Sequence, residues 1–145
     1  MTGIPGIARR AKPTDLDAVL ELDRMSPIGH ERTALLTARV HSGEVLLFEN
    51  EDQLFGFAVV KERSFFGRDF VELLTVTVSK RRQGIGDYLL QEAVTQSSSD
   101  RIFTSTNQSN AEMIGLLEYA GWHFSGQLEG IDEGDPEMVF FKDAR

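Results

Sequence analysis

One stretch of the sequence brings basic residues and glycines together where a strand meets a helix. Residues 76–93 read VTVSKRRQGIGDYLLQEA: alternating apolar and hydroxyl residues, three consecutive cations at 80–82, then Gly84 and Gly86, and then an amphipathic helix. A helix that begins after a glycine turn presents unpaired N–H groups and the positive end of its dipole. Beside three cations, such a turn is typical of a site for a phosphate group.

The glycine pattern differs from two common phosphate-binding motifs. No Gly-Lys-Ser/Thr follows, as a P-loop requires, and the third glycine position of the dinucleotide fingerprint is occupied by Leu89. Gly-x-Gly is a weak signal by itself, because many strand-to-helix turns need glycine only for positive φ or tight packing. At this level, both the structural and the anion-binding interpretations of the turn stay open.

Composition limits the kind of protein that carries this turn. The chain has 145 residues, 41% of them hydrophobic, which suits one domain spanning residues 1–145 with its own core. Its net charge of -8 argues against nucleic acid or an anionic membrane as the main partner, so an anion must be bound locally. There are no cysteines, no membrane-length apolar run and no metal-ligand spacing among the three histidines. We expect a soluble cytoplasmic protein without a metal.

The periodicities predict an α/β fold with the element order β α α β β β α β α β β. The first helix is predicted in PTDLDAVLELD with Thr14 as N-cap, and a second runs from about Glu31 to His41. Two strands follow around a polar turn, with Gly56 as a bulge or close-approach point, and FVELLTVTV forms the next strand. The order predicts an antiparallel front and a parallel βαβ step near the middle of the sheet.

Two motifs carry a resemblance to a known family. The run from Val76 to Gly86, with its core R-R-Q-G-I-G, resembles the acyl-CoA motif of the GCN5-related N-acetyltransferase (GNAT) family. The run from Asn110 to Trp122 is similar to that family's later motif, in which an asparagine opens a helix that ends in glycine and an aromatic residue. The resemblance implies the GNAT fold: a mixed central sheet with helices on both faces and a parallel strand pair that splays apart.

The resemblance also implies acetyl-CoA as co-substrate, with no metal. Its pantetheine arm would pair with the splayed strand near Val76, because main-chain groups there would otherwise lack partners. Its pyrophosphate would lie on the N–H groups of the glycine turn, while Asn110 would serve as an N-cap near the cofactor. The predicted cofactor-binding residues are Leu74, Thr75, Val76, Arg81, Arg82, Gln83, Gly84, Ile85, Gly86, Asp87 and Asn110.

Amine acetylation needs a group that accepts the amine proton and a donor to the oxyanion. A main-chain N–H near Leu74 or Thr75 is the expected donor. Glu72 is the expected base, because it precedes Val76 by four residues and so shares its strand face, among apolar neighbours. The alternative interpretation is that Glu72 is an ordinary polar residue of a sheet face.

The chain departs from the family pattern at two positions. Leu117 stands where many members have a tyrosine near the departing thiolate, and Tyr119 is expected to point elsewhere on the helix. Ser105 stands where some relatives have a glutamate base. Water or another group, such as Tyr88, would then protonate the thiolate.

We therefore expect an acetyl-CoA-dependent N-acetyltransferase that acts on a primary amine of a small molecule or peptide. The alternative is a catalytically silent acyl-CoA-binding module, and whether the protein forms a homodimer is left open. The acidic turn at 132–135 is expected to be solvated, or else to face a cationic substrate. The segment 25–31 corresponds to a region that lines acceptor sites in relatives.

Overall fold

The computed structural model describes residues 6–25 and 32–145, and its element order is the predicted one. Short 3-10 turns precede the first helix and follow the fourth strand. The strands and helices are β1 (Ile7–Arg10), α1 (Leu16–Arg24), α2 (Thr33–His41), β2 (Val45–Asn50), β3 (Gln53–Phe65), β4 (Arg68–Val76), α3 (Ile85–Thr95), β5 (Arg101–Asn107), α4 (Ala111–Tyr119), β6 (His123–Leu128) and β7 (Glu137–Asp143).

The N-cap predicted for the first helix was wrong. Thr14 lies inside the 3-10 turn Pro13–Asp15, which precedes α1. The carboxylate of Asp15 accepts the N–H of Lys12 at 2.6 Å and is also paired with Arg9. The guanidinium of Arg9 lowers the pKa of Asp15 by donating hydrogen bonds to its charged form.

The strands form one mixed seven-stranded sheet in the order β1-β2-β3-β4-β5-β7-β6. The pairs β1–β2, β2–β3, β5–β7 and β6–β7 are antiparallel, whereas β4 and β5 are parallel and are connected through α3. The parallel ladder contains only the pairs from Asp69–Ile102 to Val71–Thr104, although β4 continues to Val76 and β5 to Asn107. The α/β class and the short parallel step are thus confirmed.

The chain forms two compact units. The first contains the described residues up to Val60 together with Leu73–Ala93. Its core joins side chains of α1 and α2 to alternate residues of β2 and β3, among them Val19, Leu36 and Phe57. The other face of β2 meets α3, where Phe48 and Tyr88 make an edge contact with ring centroids 5.5 Å apart. Helices therefore cover both faces of the sheet in this unit.

Gly56 is both a bulge neighbour and a close-approach point, as its position in a strand predicted. The β2–β3 register shifts between Phe48 and Glu49, beside the Phe48–Gly56 pair. A Cβ at Gly56 would lie 2.9 Å from the carbonyl oxygen of Thr75 and 3.3 Å from a methyl carbon of Ile85. Only glycine lets β3 approach the end of β4 and the start of α3 this closely.

The second unit contains residues 61–72 and 94–145. Asp69 is 2% exposed there, and its carboxylate accepts N–H bonds from Arg63 and Ser98 at 2.9 and 2.8 Å. Burial by itself would raise the pKa of Asp69, but these N–H groups and the hydroxyls of Ser98 and Ser97 outweigh it and lower that pKa. Asp69 thereby joins the start of β4 to the connection that follows α3.

No helix in the described part of the chain combines the length and apolar character needed to cross a membrane.

Candidate functional site

The glycine turn connects the end of β4 to α3. After Thr77 the chain makes a 3-10 turn, and Arg82 and Gly84 then both take positive φ values, 62° and 87°. The N–H of Tyr88 donates to the carbonyl of Gly84 at 3.0 Å, so Gly84 begins the helical ladder. The N–H groups of residues 85–87 belong to the first helical turn. No preceding helical turn supplies carbonyl groups that could accept hydrogen bonds from them. A helix start of this kind has N–H groups that are available to an anion.

The cations before the turn have different surroundings. The guanidinium of Arg81 folds back on the strand, and its Nε donates to the carbonyl of Val76 at 3.2 Å. The ammonium of Lys80 lies 5.0 Å from the ring centroid of Phe55, a cation–π contact that favours a position beside that ring. Arg81 therefore joins the strand end to the turn, whereas Lys80 packs on β3.

Leu74, Thr75 and Val76 form the last part of β4. Thr75 is 8% exposed, while its two neighbours are half-buried. The N–H of Thr77 donates to the carbonyl of Phe55 at 2.8 Å, so the strand end is held against β3. Within the first unit, the structure thus brings the predicted pantetheine segment and the predicted pyrophosphate turn together.

Asn110 caps α4. Its side-chain Oδ1 accepts the N–H of Met113 at 3.1 Å, and its carbonyl accepts the N–H of Ile114. Gly121 has a φ of 85° just after the helix, and the N–H of Trp122 returns to the carbonyl of Leu117. The second motif therefore forms a helix whose start and end are both fixed by local hydrogen bonds.

Glu72 is half-buried and lies two residues after Phe70 on β4. The Cα of Phe70 pairs with Phe103, and side chains alternate along a strand, so Glu72 shares the sheet face of Phe70 and Phe103. Ser105 follows Phe103 on that face and donates to the carboxylate of Glu137 at 2.8 Å. Two carboxylates therefore belong to one face of the second unit.

The position of the missing tyrosine and the nearby Tyr119 lie on different sides of α4. Leu117 is fully buried, whereas Tyr119 is 81% exposed, as expected for a surface residue. Tyr88 packs with its ring edge against Phe48 in the first unit. On α4, the exposed Tyr119 therefore does not take the buried position of Leu117.

The acidic turn before β7 has a structural role that the sequence did not show. Asp132 accepts the side-chain amide of Asn107 at 2.9 Å, and Asp135 accepts both the N–H and the hydroxyl of Ser109. These carboxylates hold the turn against the β5–α4 connection. Of the segment expected to line the acceptor site, residues 26–31 lie outside the described residues.

Among the described residues, no group of three or more histidine, aspartate or glutamate side chains has an arrangement that could hold a metal ion. The ring of His41, for example, contacts the carbonyl of Thr37 at the end of α2.

Comparison with known proteins identifies the family. A family profile described as "Acetyltransferase (GNAT) domain" matches residues 27–134, well over half of the chain. The chain belongs to the GNAT family. No curated protein sequence matches this GNAT chain significantly.

Solved structures share the GNAT fold over nearly the whole chain. An acetyltransferase of the GNAT family from Bacillus cereus is 28% identical with a TM-score of 0.90, and the match covers 97% of this chain and 98% of that one. The protein yncA from Salmonella typhimurium, solved with its cofactor acetyl-CoA, is 20% identical with a TM-score of 0.76 over 98% and 95% of the two chains. The ribosomal-protein-S18-alanine N-acetyltransferase of Escherichia coli is 15% identical with a TM-score of 0.79 over 97% and 94%.

The aromatic side chains of the second unit are candidate functional residues that sequence reasoning missed. Phe65 stacks on Phe70 with centroids 5.0 Å apart and lies 5.1 Å from Phe103, which in turn lies 5.7 Å from Phe141. The local sequence signal is the Phe65–Phe66 pair beside Gly67 in the run SFFGRD, which is typical of a turn.

Proposed function

We propose that this GNAT protein transfers an acetyl group from acetyl-CoA to a primary amine of a small molecule or peptide, and that it does so in the cytoplasm. The observation that carries the proposal is the turn before α3. There, Gly84 at a φ of 87° begins the helix, and Arg81 is held beside the strand end by its bond to Val76. A helix start with unpaired N–H groups and adjacent guanidinium groups suits a pyrophosphate.

The described residues fit acetyl-CoA on one further ground. The parallel ladder ends at Val71 and Thr104, so main-chain groups farther along β4 can pair with the amides of a pantetheine arm. Leu74, Thr75 and Val76 would hold that arm, and the turn at residues 81–87 would hold the pyrophosphate. Asn110, the N-cap of α4, is the remaining proposed cofactor-binding residue. Acetyl-CoA supplies the acetyl group as a thioester.

Glu72 is the proposed general base. It lies two residues before Leu74 on the same strand, so an amine that reaches the thioester would pass close to its carboxylate. The amine arrives as an ammonium at neutral pH, and Glu72 accepts its proton directly or through one water. The main-chain N–H of Leu74 or Thr75 donates to the negative charge that develops on the carbonyl oxygen.

The departing thiolate needs no dedicated acid in this proposal. Leu117 is fully buried and has no proton to give, and Tyr119 is mostly exposed on α4. A thiolate is a tolerable leaving group, since a thiol is far more acidic than the amine that replaces it. Solvent would then protonate it after the amide bond has formed.

The test is thiol release from acetyl-CoA with a panel of primary amines, followed by mass analysis of the acetylated product. Glu72→Gln should keep the affinity for CoA and lower kcat by about a hundredfold, with a defect that shrinks as pH rises because more amine is already neutral. Tyr119→Phe, the control, should keep kcat within about twofold. Tight CoA binding without transfer to any amine would instead identify a silent acyl-CoA-binding module.

A further inference from the structure

A groove of about 480 Å³ crosses the sheet face that carries Glu72. Phe65 and Phe66 of the β3–β4 turn form one wall, and residues 125–128 of β6 form the other. Phe103 and Val139 are part of its floor. Its size is within the range of small-ligand sites, and its walls are mainly apolar.

One end of the groove is cationic. Arg68 and Arg101 line it there, and both are exposed. Arg101 is paired with Asp143 at 2.7 Å and lies over the ring of Phe141, with 4.5 Å from Cζ to the centroid. Within the described residues, no carboxylate pairs with Arg68. On a chain with a net charge of -8, an arginine without a carboxylate partner is a local site for an anion.

Two carboxylates lie on the same sheet face, beyond the residues that line the groove. The β5–β7 register pairs Arg101 with Asp143 and Ser105 with Val139, so Ser105 is four residues farther along β5 than Arg101. Its hydroxyl is bonded to Glu137, and Glu72 lies four residues after Arg68 on β4. Four residues of strand span about 13 Å, so the guanidinium of Arg68 and these carboxylates are on the order of 10 Å apart once their side chains reach toward each other.

The wall residue Phe66 has a conformation that the fold alone does not favour. It occupies the first central position of a two-residue turn at a φ of 51°, followed by Gly67 at 79°, and it is 90% exposed. Asparagine or glycine is preferred at such a position, and a bulky aromatic residue there is strained. An exposed, strained ring at the edge of an apolar groove points to contact with a bound molecule.

We propose that the acceptor amine of this acetyltransferase is an extended apolar molecule that carries a carboxylate on the order of 10 Å from its nitrogen. The inference rests on the proposed function and specifies its substrate class. The amine lies beyond the groove, toward Glu72 and Glu137 on the same sheet face, the apolar body lies between Phe66 and Phe103, and the carboxylate pairs with Arg68. Transfer forms the amide bond as the thioester bond breaks, and the amine proton passes to Glu72.

Matched small acceptors test the proposal. An eight-carbon ω-aminocarboxylate places its charges about 10 Å apart, its primary carboxamide has the same length without the negative charge, and a four-carbon ω-aminocarboxylate is too short. The eight-carbon acid should have a KM about fivefold lower than the carboxamide, the scale of an exposed ion pair. Arg68→Gln should abolish this difference, whereas Lys12→Gln, which removes the same charge elsewhere on the chain, should preserve it.

A second variant tests the apolar wall without endangering the fold. Phe66→Asn places a favoured residue at the positive-φ turn, so the variant should be as stable as the parent or more so. It should nevertheless raise the KM of both eight-carbon acceptors several-fold, because the exposed ring no longer covers their chains. An unchanged KM for these acceptors would show that the ring is not part of the acceptor site.

Calorimetric titration of the same compounds without acetyl-CoA separates this inference from the proposed function. Efficient transfer with no preference for the eight-carbon acid, or a preference that survives Arg68→Gln, overturns the inference and leaves the acetyltransferase intact. Absence of transfer to every amine overturns the proposed function. In that case, Arg68-dependent binding of the acid would still support the groove, and equal binding of acid and carboxamide would refute it.

Discussion

Replacing Gly84 by valine separates the phosphate turn from general stability. Gly84 has a φ of 87°, a conformation that an L-residue adopts only with strain of about 1–2 kcal/mol. Gly43, in the turn after α2, provides a matched control because its φ is 76° and a Cβ there would meet nothing within 4 Å. Both Gly84→Val and Gly43→Val should therefore lower the melting temperature by roughly 3–8 °C.

The two variants should differ in their response to ligand. CoA at about a hundred times its Kd stabilises a binding-competent protein by about 2.7 kcal/mol, which raises the melting temperature by roughly 8 °C for a domain of this size. Gly43→Val should keep that full shift. Gly84→Val should lose nearly all of it, because the side chain and the altered backbone disturb the N–H groups that begin α3.

Thermal denaturation with and without CoA, monitored by circular dichroism, measures both effects. A full CoA-induced shift in Gly84→Val would show that the pyrophosphate does not bind at this turn. Loss of the shift in both variants would show that strain anywhere in the first unit suffices, so the turn would have no special role.

Two further predictions concern an arginine of the turn and a buried carboxylate. Arg81→Ala should weaken CoA binding about tenfold and pantetheine binding less than twofold in calorimetry, since the guanidinium is proposed to pair with phosphate; equal losses would make Arg81 purely structural. Asp69→Asn should lower the free energy of unfolding at neutral pH by about 2 kcal/mol, because an amide cannot accept every bond that the carboxylate accepts. As the pKa of Asp69 is lowered, its contribution is present above the unfolded value near 3.9 and is lost as pH falls through the lower folded value. The difference between wild type and variant should therefore shrink below about pH 4 in urea titrations, while the control Asp100→Asn, on an exposed residue, should show little effect at any pH.

The sequence by itself determined the features that short segments encode. The strand-to-helix glycine turn, the Asn110 cap and the element order all depend on residues within one turn or strand of each other. Propensity, capping and periodicity act over that range, so these predictions were confirmed by the structure. The family resemblance depended on the same local motifs. The N-cap prediction for Thr14 failed at this range, because Thr14 lies inside a 3-10 turn in which Asp15 accepts the N–H of Lys12 and pairs with Arg9.

Tertiary structure decided which residues far apart in sequence lie on the same sheet face and which of them hydrogen-bond to a common carboxylate. The β5–β7 register places Ser105 beside Glu137, and the β4–β5 ladder aligns Phe70 with Phe103. Asp132 of the acidic turn is exposed, as expected for a solvated turn, but only the structure shows that it also accepts a hydrogen bond from Asn107. Such pairings depend on the relative alignment of strands far apart in the chain, and a shift of one residue would move every side chain to the other face. The aromatic groove, with its arginines at one end and the carboxylates farther along the same sheet face, follows from that alignment, which is why no local pattern predicted it.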